Sequence, residues 1–352
     1  LVNKDFTGEN KTTDNFGHGT HVSSSAAGIN PVSGTAYDGI ATNSNIISLR
    51  VLNSRGIGKT ASLLNALNWI LSPADPTRPV STTNPLNKNK YNIRVANLSL
   101  GAAAIDTYRN DPLCRAARKL VDAGVVVVVA AGNNGKNAAG QKIYGQIHSP
   151  GNEPSVITVG AVNTFGTDVR SDDGMTTYSS RGPTRSYTTI NGVKHYDNLI
   201  KPDLAAPGNK IIYAEADENY LVTQYPSLHA NVTSSSGSGS GDDRKMMYLS
   251  GTSMAAPIVS GAAALLLQMN PKLTPNMVKM ILMYTAQQLN GYNMLEQGTG
   301  QLNVEGAVRL AKLVRTDLTT STLTGAPLLT ANPPAQQTTI AGHTFSWARG
   351  IM

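Results

Sequence analysis

The chain has 352 residues, 40% of them hydrophobic, enough for one large domain with its own core and a tail. Its 29 Lys and Arg against 22 Asp and Glu give a net charge of +7, but the densest basic group, Lys88, Lys90 and Arg94, is not interleaved with aromatics, which make up only 5% of the chain, so nucleic acid is not expected as a partner. A single cysteine, Cys114, excludes an internal disulfide, and no apolar run approaches the roughly 20 residues of a membrane span, so no membrane partner is expected either.

In chain order, short β-branched runs alternate with helical patterns. Residues 45–52 (NIISLRVL) read as a strand, 60–71 as an amphipathic helix, 93–100 as a strand and 112–123 as a helix. Residues 125–131 form an unbroken apolar run, the pattern of a strand buried on both faces, and 155–162 add another strand. This alternation predicts an α/β fold, a mostly parallel sheet with helices on both faces. Residues 209–249 read as a surface excursion without chemistry, centred on the flexible stretch SSSGSGSG at 234–241. The run after Gly251 is apolar on nearly every face and is expected as a helix buried in the core, with Pro257 at the edge of its first turn. Residues 275–289 and 304–314 read as closing helices on the surface of a domain spanning 1–314. Residues 315–352, rich in threonine and proline with Trp347 near the end, read as a linker into a truncated C-terminal region.

Three places carry candidate chemistry. Ser253 stands at the mouth of the buried helix, where unpaired N–H groups and the helix dipole favour an anion on a neighbouring oxygen. Taken alone, Ser253 and Thr252 read equally well as caps of a core helix. His18 and His21 lie three apart in Phe16-Gly17-His18-Gly19-Thr20-His21-Val22, a spacing that would suit a metal, but no Glu lies between them as in the metalloprotease pattern. Finally, the predicted strands end at 98–101 and 130–133, and the carboxyl ends of strands are where open α/β sheets form their ligand crevice. Asn133, by itself, reads as an asparagine in a Gly-rich turn.

The motif HGTHV at 18–22, followed far downstream by GTSMAAP at 251–257, resembles the subtilisin-like serine proteases. Between the two, NLSLG at 97–101, AAGN at 130–133, YSSRGP at 178–183 and KPDLAAPG at 201–208 stand in the family's order, and the resemblance covers roughly residues 5–312. It implies the three-layer subtilisin-like fold and a secreted, monomeric serine endopeptidase acting on polypeptides, with Ser253 as nucleophile and His18 as general base. Asn133 and the Ser253 N–H would hold the oxyanion, and His21 would be structural. Leu98, Ser99, Leu100 and Gly101 would wall the primary specificity pocket opposite Ala131 and Gly132, with Thr252 beside the nucleophile. The floor would be His148, two positions before the proline of Ser149-Pro150-Gly151, where many relatives have glycine; its ring would point either inward or to solvent. No cofactor is required, and no metal ligand is assigned. The family often carries structural calcium, but no acidic loop here has EF-hand-like spacing.

One departure concerns the third triad member. The family pattern calls for an Asp closing an apolar strand, followed by Ser or Thr and Gly, some tens of residues before His18, yet only 17 residues precede it. Asp5-Phe6-Thr7-Gly8 has an inserted Phe and is expected to have no strand before it, and Asp14 lies in the approach to the histidine motif. Neither is expected to orient His18. The expectation is a first strand or strands upstream of Leu1, carrying the catalytic Asp, together with a pro-region; residues 1–352 alone would then be inactive or weakly active. The alternative is a catalytically dead domain serving as a binding or structural module, against which stands the intact set His18, Asn133 and Ser253.

Overall fold

The computed structural model describes residues 2–29, 37–232 and 245–351. The first half of the chain runs β1 (Val2–Asp5), α1 (His18–Ala27), β2 (Ile47–Arg50), α2 (Thr60–Ile70), α3 (Asn87–Lys90), β3 (Val95–Leu98), α4 (Pro112–Asp122), β4 (Val126–Ala130), β5 (Ile157–Asn163) and β6 (Gly174–Met175). Then come the hairpin β7 (Tyr187–Ile190) and β8 (Val193–Tyr196), β9 (Leu204–Pro207), β10 (Ile211–Ala214), α5 (Tyr220–Gln224), β11 (His229–Ala230) and β12 (Met246–Leu249). The chain closes with α6 (Thr252–Met269), α7 (Pro275–Thr285), α8 (Met294–Gln297), α9 (Val304–Ala311) and the hairpin β13 (Gln337–Ile340) and β14 (His343–Ser346).

The central sheet is β3-β4-β5-β9, all parallel, with β6 antiparallel on β5. Why β4 is apolar throughout follows from the period of two in a strand. Val126, Val128 and Ala130 face the cluster built with α6, α7 and α9, while Val127 and Val129 face the one built with α2 and α4. Helices thus cover both faces, as the sequence predicts. β1 and β2 form a separate parallel pair with Asp5 opposite Arg50. This corrects the expectation that no strand precedes Asp5: VNKD has no hydrophobic period and is a strand only by pairing with β2. Among the described residues, no strand occupies the second edge of β2 or the second edge of β3.

Under the sheet, α6 is long and apolar enough to cross a membrane by composition, but 72% of that stretch is buried within the domain. Pro257 is its sixth residue and not at the edge of the first turn, a second correction. The closing helix α7 is not superficial either: Val278, Ile281, Leu282 and Met283 are fully buried. A buried charge cluster ties β5 and β9 to α7. Asp203 accepts from Lys201 Nζ (2.7 Å) and from the Thr158 N–H (2.7 Å), and it pairs with Lys279 (2.8 Å).

Two outer segments depart from the sequence reading. The ends of the 209–249 excursion are ordered, β10-β12-β11 making an antiparallel sheet that buries Met246 and Met247, while the serine–glycine stretch lies outside the described residues. The reading of 315–352 as a linker is also overturned. The β13–β14 hairpin folds back so that Trp347, 2% exposed, joins the α6–α7–α9 core and donates its indole N–H to Thr338 Oγ1 (2.9 Å). Ala348 and Arg349 add backbone bonds to Ala286 and Tyr284 (2.7 and 2.9 Å). A large aromatic with a satisfied N–H gains enough by burial to dock an otherwise polar tail.

Candidate active site

The N-terminus of α6 is pinned to the turn after β4. Asn133 Oδ1 accepts from both the N–H and the hydroxyl of Thr252 (2.9 and 3.0 Å), and Thr252 Oγ1 accepts from the Gly132 N–H (3.1 Å). A backbone N–H only donates, so it settles which end of the Asn133 amide faces Thr252. Asn133 Nδ2 is thereby left without a bond to any described residue, at the positive end of a helix. Only glycine fits at 132: its φ is +107°, and a Cβ there would lie 2.8 Å from both the His148 ring and Ser180 Oγ. Ser180 also takes the Asn134 N–H (3.0 Å) and, through its own N–H, bonds the Gly132 carbonyl (2.9 Å).

Ser253 is the second residue of α6, half-buried, and its Oγ donates to the Ser99 carbonyl at 2.9 Å. His18 opens α1 across the same cleft of about 490 Å3, which is lined by both residues together with Ser99, Leu100, Gly101, Gly132, Asn133, His148 and Thr252. The imidazole is half-buried and makes no hydrogen bond to a described residue, to Ser253 included. Burial pushes its pKa below the ordinary value, with the nearby Asp14 charge working the other way, so it is neutral at pH 7 and fit to accept a proton.

The position of His18 is set from outside the central sheet. Asp14 caps α1, its two oxygens accepting from the Gly17 N–H (2.9 Å) and the Thr20 N–H (2.6 Å). Gly17 has φ +100°, and a Cβ on it would sit 2.7 Å from Asn219 Oδ1. Tyr220, next in the chain, stacks on Phe16 at 6.0 Å and bonds the Asn15 carbonyl (2.8 Å). His21 is fully buried, donates Nε2–H to the Ile211 carbonyl (3.0 Å) and meets the edge of Tyr213. Desolvation, the largest influence, holds its pKa down to about 4. The excursion that reads as inert is therefore the wall behind the histidine helix.

Neither Asp5 nor Asp14 makes a hydrogen bond or ion pair with His18, although the Asp14 charge is near enough to act on it. Asp5 accepts from Thr7 (3.1 and 2.7 Å), the Asn10 N–H (2.9 Å) and Arg50 (3.1 Å). Desolvation raises its pKa, but these bonds outweigh it and bring the carboxyl to about 2. Among the described residues, no three His, Cys, Asp or Glu side chains converge as metal ligands would.

His148 points inward. Its ring lies against Gly132 and Gly101, and Nε2 accepts from Asn134 Nδ2 (3.0 Å), an amide nitrogen having no lone pair to offer. The backbone beside it bridges the two walls, His148 N–H to the Ala131 carbonyl (3.0 Å) and Ser149 to Ala102 in both directions (2.8 and 3.0 Å). Leu98 and Ala131, expected as wall residues, are buried behind the cleft and do not line it. Asn134, Ser180, Phe16 and the Asn219–Tyr220 pair are functional neighbours that the sequence reading did not single out. Asn134 adjoins the AAGN motif and Ser180 lies within YSSRGP, which are their only signals in the sequence.

A three-layer α/β fold whose cleft joins a helix-mouth serine, a neutral histidine and a free side-chain amide defines a class, the serine-nucleophile hydrolases of subtilisin type. The Subtilase family matches residues 2–302, and the chain belongs to it. It is 34% identical over 299 residues to the serine protease AprX of Bacillus subtilis, covering 84% of this chain and 58% of that protein. To subtilisin DY of Bacillus licheniformis it is 30% identical over 302 residues, covering 86% and 81%. Among solved structures, a cold-adapted subtilisin-like serine proteinase superposes with a TM-score of 0.52 at 26% identity, over 86% of this chain and 79% of that one.

Proposed function

We propose that this chain is the catalytic domain of a secreted serine endopeptidase acting by acyl-enzyme chemistry. The observation that carries the reading is the Asn133 amide, turned by Thr252 so that Nδ2 is free beside the nucleophile. A substrate carbonyl seated in the cleft would meet Ser253 Oγ, which swings from the Ser99 carbonyl to His18 and passes its proton to the imidazole. The tetrahedral oxygen takes hydrogen bonds from Asn133 Nδ2 and the Ser253 N–H, and His18 returns the proton to the leaving amine. Water then repeats the cycle on the acyl-enzyme. Polypeptides are the substrates, no cofactor takes part, and the domain acts as a monomer.

With Asp5 held by Arg50 and Asp14 spent on the α1 cap, neither supplies the carboxylate that orients His18. Among the described residues, the second edges of β2 and β3 carry no strand, which leaves room for one beside them. A second reading, a catalytically inactive binding module, is favoured by the missing Ser253–His18 hydrogen bond.

Fluorophosphonate labelling with peptide mapping separates the two. The label is expected on Ser253, and slowly where no carboxylate orients His18, because loss of the orienting Asp in subtilisin costs about 3 × 10⁴ in kcat. Labelling elsewhere, or none in folded protein, sinks the enzyme reading.

A further inference from the structure

We infer that Ser99 positions the nucleophile through the main-chain carbonyl of Ser253, a task created by the proline at 257; this rests on the reading of Ser253 as nucleophile. In an α-helix the carbonyl of residue 253 takes the N–H of residue 257. Pro257 lies inside α6 and has no N–H, so the turn carrying the nucleophile has an acceptor without its helical donor. Ser99 Oγ fills the vacancy at 2.6 Å. That hydroxyl is itself held: it accepts from Asn97 Nδ2 (3.0 Å), and Asn97 Oδ1 accepts from Ser260 Oγ (2.9 Å). Ser260 lies on α6 again, two turns beyond Ser253, so the chain of bonds leaves the helix, crosses the end of β3 and returns to the helix.

The directions along this path follow from the groups. Asn97 Nδ2 can only donate, so Ser99 Oγ accepts there and commits its one hydrogen to the Ser253 carbonyl. The Ser99 main chain acts in the opposite sense, its carbonyl accepting from Ser253 Oγ (2.9 Å). One residue therefore grips the nucleophile at two atoms: its side chain fixes the peptide plane from which Ser253 projects, and its backbone parks the hydroxyl until His18 takes it. With the first grip removed, the 253 carbonyl turns toward water. The Ser253 N–H and Oγ then shift against Asn133 and His18, and a misplacement of about 1 Å costs up to about 100-fold in rate. Ser99 touches no reacting atom through its hydroxyl and is a positioning residue.

The test uses saturation kinetics of fluorophosphonate labelling at Ser253. Ser99→Ala is expected to lower the maximal labelling rate about 10-fold with the half-saturating concentration unchanged, and Ser99→Thr, which keeps the hydroxyl, to restore most of it. In a Pro257→Ala background the 253 carbonyl regains a helical donor, and Ser99→Ala should then cost about 3-fold or less. An equal loss in both backgrounds, or no loss in either, overturns the inference while leaving Ser253 as the labelled nucleophile. Absence of label on Ser253 in the unsubstituted protein overturns the proposed function and this inference with it.

Discussion

On the serine side of the cleft the residues near the reacting centre are wired to one another, Asn133 to Thr252, Thr252 to Gly132, Ser253 to Ser99 and His148 to Asn134, with Asn133 Nδ2 left open. On the histidine side the wiring stops at the backbone, where Asp14 caps α1 and Tyr220 presses on Phe16, while the His18 ring, tilted against Phe16 at 6.5 Å, makes no hydrogen bond to a described residue. The first side is assembled from the ends of parallel strands and the helix they bury, elements fixed by the core. The second is held by an outer segment. On the proposed mechanism, pre-organisation is concentrated where negative charge would develop, and His18, the proposed proton acceptor, is the half with fewer side-chain bonds.

Replacing Asn133 by Ala attacks that contrast most directly. It removes the Asn133 Nδ2 donor from the wired half and leaves Thr252 with an unsatisfied N–H. In subtilisin the loss of one such donor costs about 10² to 10³ in kcat, and a drop of that order is expected here with KM little changed. A loss under about 5-fold would mean that the Asn133 amide serves the α6 terminus alone and that the two halves do not differ in the way described.

The wired half was legible in the sequence, and so was the HGTHV motif of the histidine half, though not the outer segment that holds it. GTSMAAP and AAGN are compact motifs at a helix start and a strand end, and the apolar runs on either side announce buried elements. Harder to read were the parts whose order depends on distant partners. Residues 211–214 and 246–249 are short strands separated by 31 residues and meet only in the fold. Tyr220 finds Phe16 across more than half of the chain, and Trp347 docks a segment whose composition reads as linker. The grip of Ser99 on Ser253 was invisible because NLSLG shows where a strand ends, whereas the need for a donor arises from a proline far downstream.

Acid should find the histidine side first. His21 anchors α1 to β10 as a buried neutral ring with a pKa of about 4 against an ordinary 6.5. Because the folded pKa is depressed, the unfolded chain binds the proton more readily. Stability is therefore full above about pH 6.5 and is lost as pH falls toward 4. Between pH 7 and pH 5 this site should cost about 2 kcal/mol. Urea titrations at the two pH values should show that loss in the native protein, and His21→Gln, which still offers a donor to the Ile211 carbonyl, should not show it. Equal acid sensitivity in both proteins would move the weak point away from α1.

The smallest effect probes the wired half at its rim. His148 lies between Gly101 and Gly132 with its Nε2 occupied by Asn134, so the ring takes up space on the floor where a large side chain preceding the scissile bond would enter. Burial lowers its pKa, which keeps the ring neutral and the Asn134 bond intact at neutral pH. Small or medium residues should therefore be favoured at that substrate position over Phe or Tyr. Discrimination by filling or emptying an apolar pocket is worth about 1 to 3 kcal/mol. His148→Gly should accordingly raise kcat/KM for Phe relative to Ala by roughly 10-fold, and it should leave labelling of Ser253 unaffected because no bond of His148 reaches the nucleophile. If the Phe-to-Ala ratio stays where it was, the ring is a prop for the Asn134 turn, and the floor of the pocket is set by the bridge between Ser149 and Ala102 instead.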